Sequence, residues 1–187
     1  KALKDETDRL HNNNVRLQAI GDIAALPREV QNELCEDIQK TKDNTGLTLT
    51  LALSYSGRWD ITKAVQRIVA DAKAGKISES DVTDQLITSH LSTVGVPDPD
   101  LLIRTSGEFR ISNFLLWQLA YSEIFITDKH WPAFRRVELY AAIRDYQRRE
   151  RRFGMVSEQL QKKDGAQPSS SAKSGQAGAF GRFMRSV

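Results

Sequence analysis

Apolar positions along the chain follow two periods in turn, one of about four residues and one of two. Leu3 and Leu10, seven apart with polar residues between, predict an opening helix, yet no Ser, Thr, Asp or Asn precedes it as a cap. The chain also opens without Met, so a preceding segment is expected. Val15–Ile20 reads as a short strand and Gly21-Asp22 as a break. Pro27 can open a helix whose Val30, Leu34 and Ile38 make one stripe, and the same pattern gives Cys35 the character of a small core residue. Leu47–Ser54 alternates leucine with Thr, Ala or Ser, as a strand does. After Ser56-Gly57 comes a helix with Ile61, Ala64, Val65, Ile68 and Val69 on one side, ended by Gly75. Ser78 and Asp81 have the spacing of a capping pair for a helix carrying Val82, Leu86 and Leu91. Beyond Pro97 and Pro99 the pattern predicts a strand at Leu101-Leu102-Ile103 and a helix at Asn113–Tyr121. A strand at Ile124-Phe125-Ile126 and a final helix at Val137–Arg152 follow. Alternating strands and helices predict an α/β fold with a mainly parallel central sheet flanked by helices. From Met155 onward Ser, Gly, Ala, Gln and Lys dominate, so the expected organisation is one domain over 1–154 and a disordered tail over 155–187.

Composition narrows the function classes. The chain has 187 residues, 40% hydrophobic and 27% charged, in the range of a soluble globular protein. The longest apolar runs are far too short to cross a membrane and no signal peptide is visible, which predicts a cytoplasmic protein without stable membrane insertion. A peripheral association with the inner membrane face stays open. Cys35 alone cannot form an internal disulfide, and His11, His90 and His130 lack metal-ligand spacing. The net charge is +3 with a pI near 9.0, but residues 1–154 hold 22 basic and 22 acidic side chains, so the excess sits in the tail. Glu138, Asp145 and Glu150 interleave with the arginines between Arg135 and Arg152, as on a solvated face. Nucleic acid is therefore not an expected partner of the folded part.

Chemistry concentrates in Arg104-Thr105-Ser106-Gly107-Glu108-Phe109-Arg110-Ile111-Ser112-Asn113-Phe114. This stretch leaves a strand and enters the predicted helix, the place where parallel sheets hold ligands. Arg104 and Arg110 offer planar forks for phosphate oxygens, and Ser112 or Asn113 at a helix start would add free N–H groups and the positive end of its dipole. A ligand with several negative charges, such as a diphosphate, fits that set. The alternative is that Arg104 pairs with Glu108 and Ser112 only caps, and spacing alone leaves both open.

Ile103-Arg104-Thr105-Ser106-Gly107-Glu108, Arg110, Ser112-Asn113-Phe114-Leu115, Gln118, Tyr121, Glu123 and Trp131-Pro132 resemble the signature of the cis-prenyltransferases, in particular the bacterial undecaprenyl diphosphate synthase branch. Gly46-Leu47-Thr48-Leu49 with Tyr55–Ile61, and Arg149–Gly154 with its Arg-x-Gly ending, are similar to two further family blocks. The resemblance implies that isopentenyl diphosphate is condensed onto an allylic diphosphate primer such as farnesyl diphosphate, with magnesium (Mg2+) as cofactor. It implies isopentenyl diphosphate contacts at Arg104, Arg110, Ser112, Arg152 and Gly154, a magnesium ligand at Glu123, and a homodimer in which the Arg-x-Gly segment crosses to the partner's site. It also gives two readings of Leu47, Leu49, Leu51 and Leu53, as lining for a prenyl tunnel or as ordinary sheet core.

The sequence departs from the family in two places. No block here matches the family's Asp-Gly-Asn-Gly-Arg-Trp loop with its catalytic aspartate; in Ser56-Gly57-Arg58-Trp59-Asp60 the acid follows the glycine. Asp60 is therefore expected in the first turn of a helix, and Arg58 and Trp59 are expected to be structural. Ala133 stands where the family often has Asp after Trp-Pro. The expectation is the C-terminal portion of an enzyme. Its rivals are an accessory subunit, which need not keep the arginines, and a nucleic-acid-binding module using the tail.

Overall fold

The computed structural model describes residues 2–149. An opening helix, α1 (Ala2–Asn12), leads to strand β1 (Arg16–Ile20), helix α2 (Arg28–Thr41) and strand β2 (Thr48–Ala52). β1 and β2 pair in parallel, from Arg16 opposite Thr48 to Ile20 opposite Ala52, so α2 is the crossover of a βαβ unit. The stripe on α2 is seated as its spacing predicts, with Leu34 buried alongside Leu17 and Ile20 of β1. Cys35 is exposed, correcting its reading as a core residue. It follows Leu34 by one position, and each helical residue turns the side chain about 100° away from the last.

Polar groups tie α2 to the outer edge of β1. The buried Thr41 hydroxyl donates to the Asp37 carbonyl and accepts the Leu17 N–H, both at 3.0 Å. Just beyond the helix, Asn44 Nδ2 donates to the Val15 carbonyl at 2.7 Å. Gly21 ends β1 at φ 109°, and a Cβ there would lie 2.1 Å from the Leu53 carbonyl oxygen, so this turn admits only glycine.

Helix α3 (Gly57–Lys73) begins at Ser56, whose side chain accepts from the Trp59 N–H at 3.3 Å, and it places Ala64 and Ile68 in the core. Gly75, at φ 70°, follows its end as the sequence predicts. Ser78 and Asp81 do form a capping box, but it closes a short 3-10 turn at Glu79–Asp81. The helix that follows, α4 (Asp84–His90), is capped instead by Thr83, so Val82 lies outside it, half exposed.

Strands β3 (Leu101–Arg104) and β4 (Glu123–Ile126) form a second parallel pair, Leu101 opposite Glu123 and Arg104 opposite Ile126. Helix α5 (Arg136–Arg148) closes the described chain and buries Ala142. The expected mainly parallel α/β architecture is present, but as two two-stranded sheets rather than one: among the described residues, ladder hydrogen bonds run only within each pair. The helix expected at Asn113–Tyr121 is absent. Ser112, Asn113 and Leu115 hold φ of 52°, 61° and 45°, left-handed values that break a right-handed helix, and the segment runs as successive turns. Trp117 and Tyr121 consequently share no helical face. Trp117 Nε1 donates to Thr88 Oγ1 at 3.1 Å, whereas Tyr121 is exposed.

Candidate diphosphate site

β3 delivers Arg104 to its C-terminal end, and the chain then turns sharply through Ser106 and Gly107, both with positive φ. The turn is pinned to the segment after β4: Ser106 N–H donates to the Lys129 carbonyl and Gly107 N–H to the Thr127 carbonyl, each at 2.9 Å. Glu108 thereby returns to Arg104. Its carboxylate receives Arg104 Nη2 on one oxygen and Arg110 Nη2 on the other. The Arg104 hydrogen bond, with Arg110 adding its charge, holds the Glu108 carboxyl below its ordinary range.

The two guanidinium groups differ in setting. The Arg104 side chain is 20% exposed and that of Arg110 66%. Arg104 Nε is buried and has no hydrogen-bond partner among the described residues. A buried donor without an acceptor is costly, and an anion would relieve it. Beside it opens a cleft of about 410 Å³, lined by Arg104, Thr105, Ser106, Glu108 and Ser112 on its polar parts and by Leu102, Ile103, Ile111 and Phe114 on its apolar ones. Arg104 thus pairs with Glu108, as one reading of this stretch expects, and the same residue also lines the cleft. The helix-dipole contribution is corrected, because no helix starts at Ser112.

What the sequence missed is where this loop is moored. The first N–H groups of α3 lack partners within the helix. Gly57 N–H donates to the Asn113 carbonyl at 2.6 Å, and Arg58 N–H donates to Asn113 Oδ1 at 2.9 Å. Phe114 meets Tyr55 edge-to-face at 5.8 Å. The sequence pointed at Asn113 only as the neighbour of Ser112 in the motif and as a candidate start for the helix expected there.

Asp60 lies in the first turn of α3 as expected, and it is buried at 1% exposure. It accepts from the Ser92 N–H at 2.8 Å and from the Tyr55 hydroxyl at 3.1 Å. Burial, with the Asp60 carboxylate beside it, pushes the Tyr55 phenol above its ordinary value. Arg58 is exposed and Trp59 half-buried. Leu47 and Leu49 are exposed, so within the described residues they form no core.

Glu123 stands apart. It pairs opposite Leu101, at the other end of the strand pair from Arg104, about 10 Å back at ~3.3 Å per residue. It does not line the cleft, and no cluster of His, Cys, Asp or Glu able to hold a metal occurs among the described residues. Glu108, the nearest carboxylate to the arginines, is engaged by both of them. The described residues therefore do not compose a magnesium cage. Arg152 and Gly154 lie outside the described residues, as does the tail over 155–187.

Comparison with known proteins places this geometry. The family model described as putative undecaprenyl diphosphate synthase matches residues 1–154. The chain belongs to the cis-prenyltransferase family. The isoprenyl transferase of Chlorobaculum tepidum is 53% identical over 160 residues, 86% of this chain and 60% of that protein. A relative from Aliivibrio fischeri named ditrans,polycis-undecaprenyl-diphosphate synthase, (2E,6E)-farnesyl-diphosphate specific, is 44% identical over 159 residues, 85% of this chain and 62% of that one. Among solved cis-prenyltransferase structures, lavandulyl diphosphate synthase from Lavandula x intermedia, in complex with dimethylallyl diphosphate, superposes with a TM-score of 0.79 at 35% identity. That match covers 81% of this chain and 66% of the other. A probable undecaprenyl diphosphate synthase from Campylobacter jejuni gives 0.71 at 33% identity, covering 82% and 69%. The chain thus spans 60 to 65% of the length of the curated relatives it matches. Among the described residues no helix is long and apolar enough to cross a membrane.

Proposed function

We propose that this chain forms the isopentenyl diphosphate-binding part of a cis-prenyltransferase that extends an allylic primer, such as farnesyl diphosphate, toward undecaprenyl diphosphate or a similar polyprenyl diphosphate. The observation that carries the reading is the partnerless buried Nε of Arg104, next to a second guanidinium held on the same carboxylate. In each round the allylic C–O bond breaks and its diphosphate leaves. The terminal double bond of isopentenyl diphosphate attacks the developing cation, a carbon–carbon bond forms, and loss of a proton creates the new cis double bond. The residues described here act on the diphosphate that does not react. Arg104, Arg110 and Ser112 hold that group so that the double bond behind it is aimed, and orientation of this kind lowers a bimolecular barrier substantially.

The proposal includes a homodimer in which Arg152 and Gly154 reach the partner's diphosphate. Exposed Tyr121, Trp131 and Val137, flanking β4 and at the start of α5, supply apolar surface suited to such an interface. Magnesium would enter with the diphosphates, since the ion commonly takes substrate oxygens and water with only one or two carboxylates; Glu123, at the other end of the strand pair from Arg104, could serve such an ion only away from the group that Arg104 holds. The test is incorporation of labelled isopentenyl diphosphate into farnesyl diphosphate by the full-length natural protein. Chain elongation that saturates in isopentenyl diphosphate is expected; its absence with every allylic primer tried would overturn the reading.

A further inference from the structure

We infer that Asn113, although it does not line the cleft, is the positioning residue that fixes the diphosphate loop, by serving as a long-range cap for α3. The inference rests on the functional reading above for its catalytic consequence but not for its structural one. Its starting point is that the loop holds an unfavourable backbone. Ser112, Asn113 and Leu115 all sit at left-handed φ, and of these residue types only Asn visits that region readily. Such a run persists only where its surroundings over-determine it.

The surroundings converge on one residue. Asn113 accepts from successive N–H groups of α3, the Gly57 N–H on its carbonyl and the Arg58 N–H on Oδ1. Ser56 takes the Trp59 N–H, so the opening donors of α3 are closed by one local side chain and one residue 55 positions away. On either side, Phe114 packs on Tyr55 and Leu116 packs directly over the bare Cα of Gly57. Ser112, which does line the cleft, is the immediate neighbour of this anchor. Its hydroxyl and the approach of Arg110 are thus set by whether Asn113 stays docked. Gly57 and Arg58 thereby spend their N–H groups on the protein, in keeping with the structural role expected of Arg58.

The experiment uses the full-length enzyme with Asn113→Ala and the conservative Asn113→Asp, which keeps an acceptor at Oδ1 and tolerance of left-handed φ. In ligand-free enzyme, hydrogen exchange should lose protection at the Arg58 amide and across residues 109–116 in Asn113→Ala, with β1 and β2 unchanged. In turnover, Asn113→Ala should raise the KM for isopentenyl diphosphate about tenfold while the KM for the allylic primer stays within about twofold. Asn113→Asp should restore both readouts in large part. Unchanged exchange protection in Asn113→Ala overturns the clamp whatever the enzyme's substrate. Lost protection with an unchanged KM and a lowered kcat or yield overturns the positioning role and leaves a purely structural cap. A wild-type enzyme that never saturates with isopentenyl diphosphate sinks the functional reading, and the exchange result still decides the clamp.

Discussion

Gly57→Ala offers a test in which two known effects oppose each other. Gly57 occupies the first position of α3 with a backbone that alanine can adopt, so a substitution there gains helix propensity of at most about 0.5–1 kcal/mol. Against this, the added Cβ would stand 2.7 Å from Leu116 Cγ and 2.9 Å from the Leu116 backbone nitrogen. Favourable carbon contacts lie at about 3.5–4.0 Å, so close to an ångström must be found. Part of the obstruction is backbone, which cannot rotate aside, and forced overpacking of this kind costs about 1–3 kcal/mol. Repulsion should win, by up to about 2.5 kcal/mol, lowering the thermal midpoint by up to roughly 10 °C for a chain of this size. The assay is thermal unfolding of wild type, Gly57→Ala, Leu116→Ala and the double variant. Trimming Leu116 should relieve part of the clash, so the double variant should be more stable than the sum of the single losses. An unchanged or raised midpoint in Gly57→Ala, or strict additivity, would show that the loop is not pressed onto α3 and would refute the packing argument.

Asp60→Ala should destabilise by about 2–4 kcal/mol, read by urea titration, because it removes the charged acceptor of the part-buried Tyr55 hydroxyl and Ser92 N–H; Asp60→Asn should cost less. Glu108 has a lowered pKa, so its stabilisation is present above the ordinary value of 4.5 and fades as pH falls through the lowered folded-state value. The stability difference between wild type and Glu108→Gln, followed from about pH 7 down to about pH 3, should therefore shrink on acidification; a difference that grows would contradict the assigned ion pairs. Arg104→Ala in the full-length enzyme should raise the KM for isopentenyl diphosphate about 10- to 150-fold, the equivalent of a charge-assisted contact of about 1.5–3 kcal/mol. Arg110→Ala, at a more exposed site, should do so less, and the reverse order would mean that the buried Nε of Arg104 faces no ligand.

Much of the fold was legible because local chemistry and tertiary structure agree there. The α2 stripe, the βαβ order, the Gly21 break and the end of α3 at Gly75 each follow from residues within one element. The segment 113–121 was misread because Phe-Leu-Leu-Trp-Gln-Leu-Ala has good helix formers and neither Gly nor Pro. What overrides that propensity is mooring to α3, a contact between residues 55 apart that no local pattern reveals. The Ser78–Asp81 box was correctly paired yet assigned to the wrong element, since Thr83 can cap as well. At the site, residue chemistry pointed to Arg104, Arg110 and Ser112; Arg104 and Ser112 line the cleft with Glu108, while Arg110 lies outside the lining and is tied to it through Glu108. Glu123 rested on resemblance alone, and strand register, which the sequence does not display, sets it away from them.

The side chains that tie α2 to β1 also decide where that sheet can grow. Alternate residues of a parallel strand present their N–H and C=O groups to opposite edges, and the Arg16 N–H already points to Leu47 beside β2. The Leu17 N–H and the Val15 carbonyl therefore face outward, where an unprotected edge would template another chain. Thr41 and Asn44 occupy those two groups in the manner of a neighbouring strand. An incoming strand would have to displace both side chains before making its first ladder bond, so aggregation by strand addition is blocked on this flank. Thr41→Val, similar in volume but unable to accept, would free the Leu17 N–H and leave Asn44 as the remaining block.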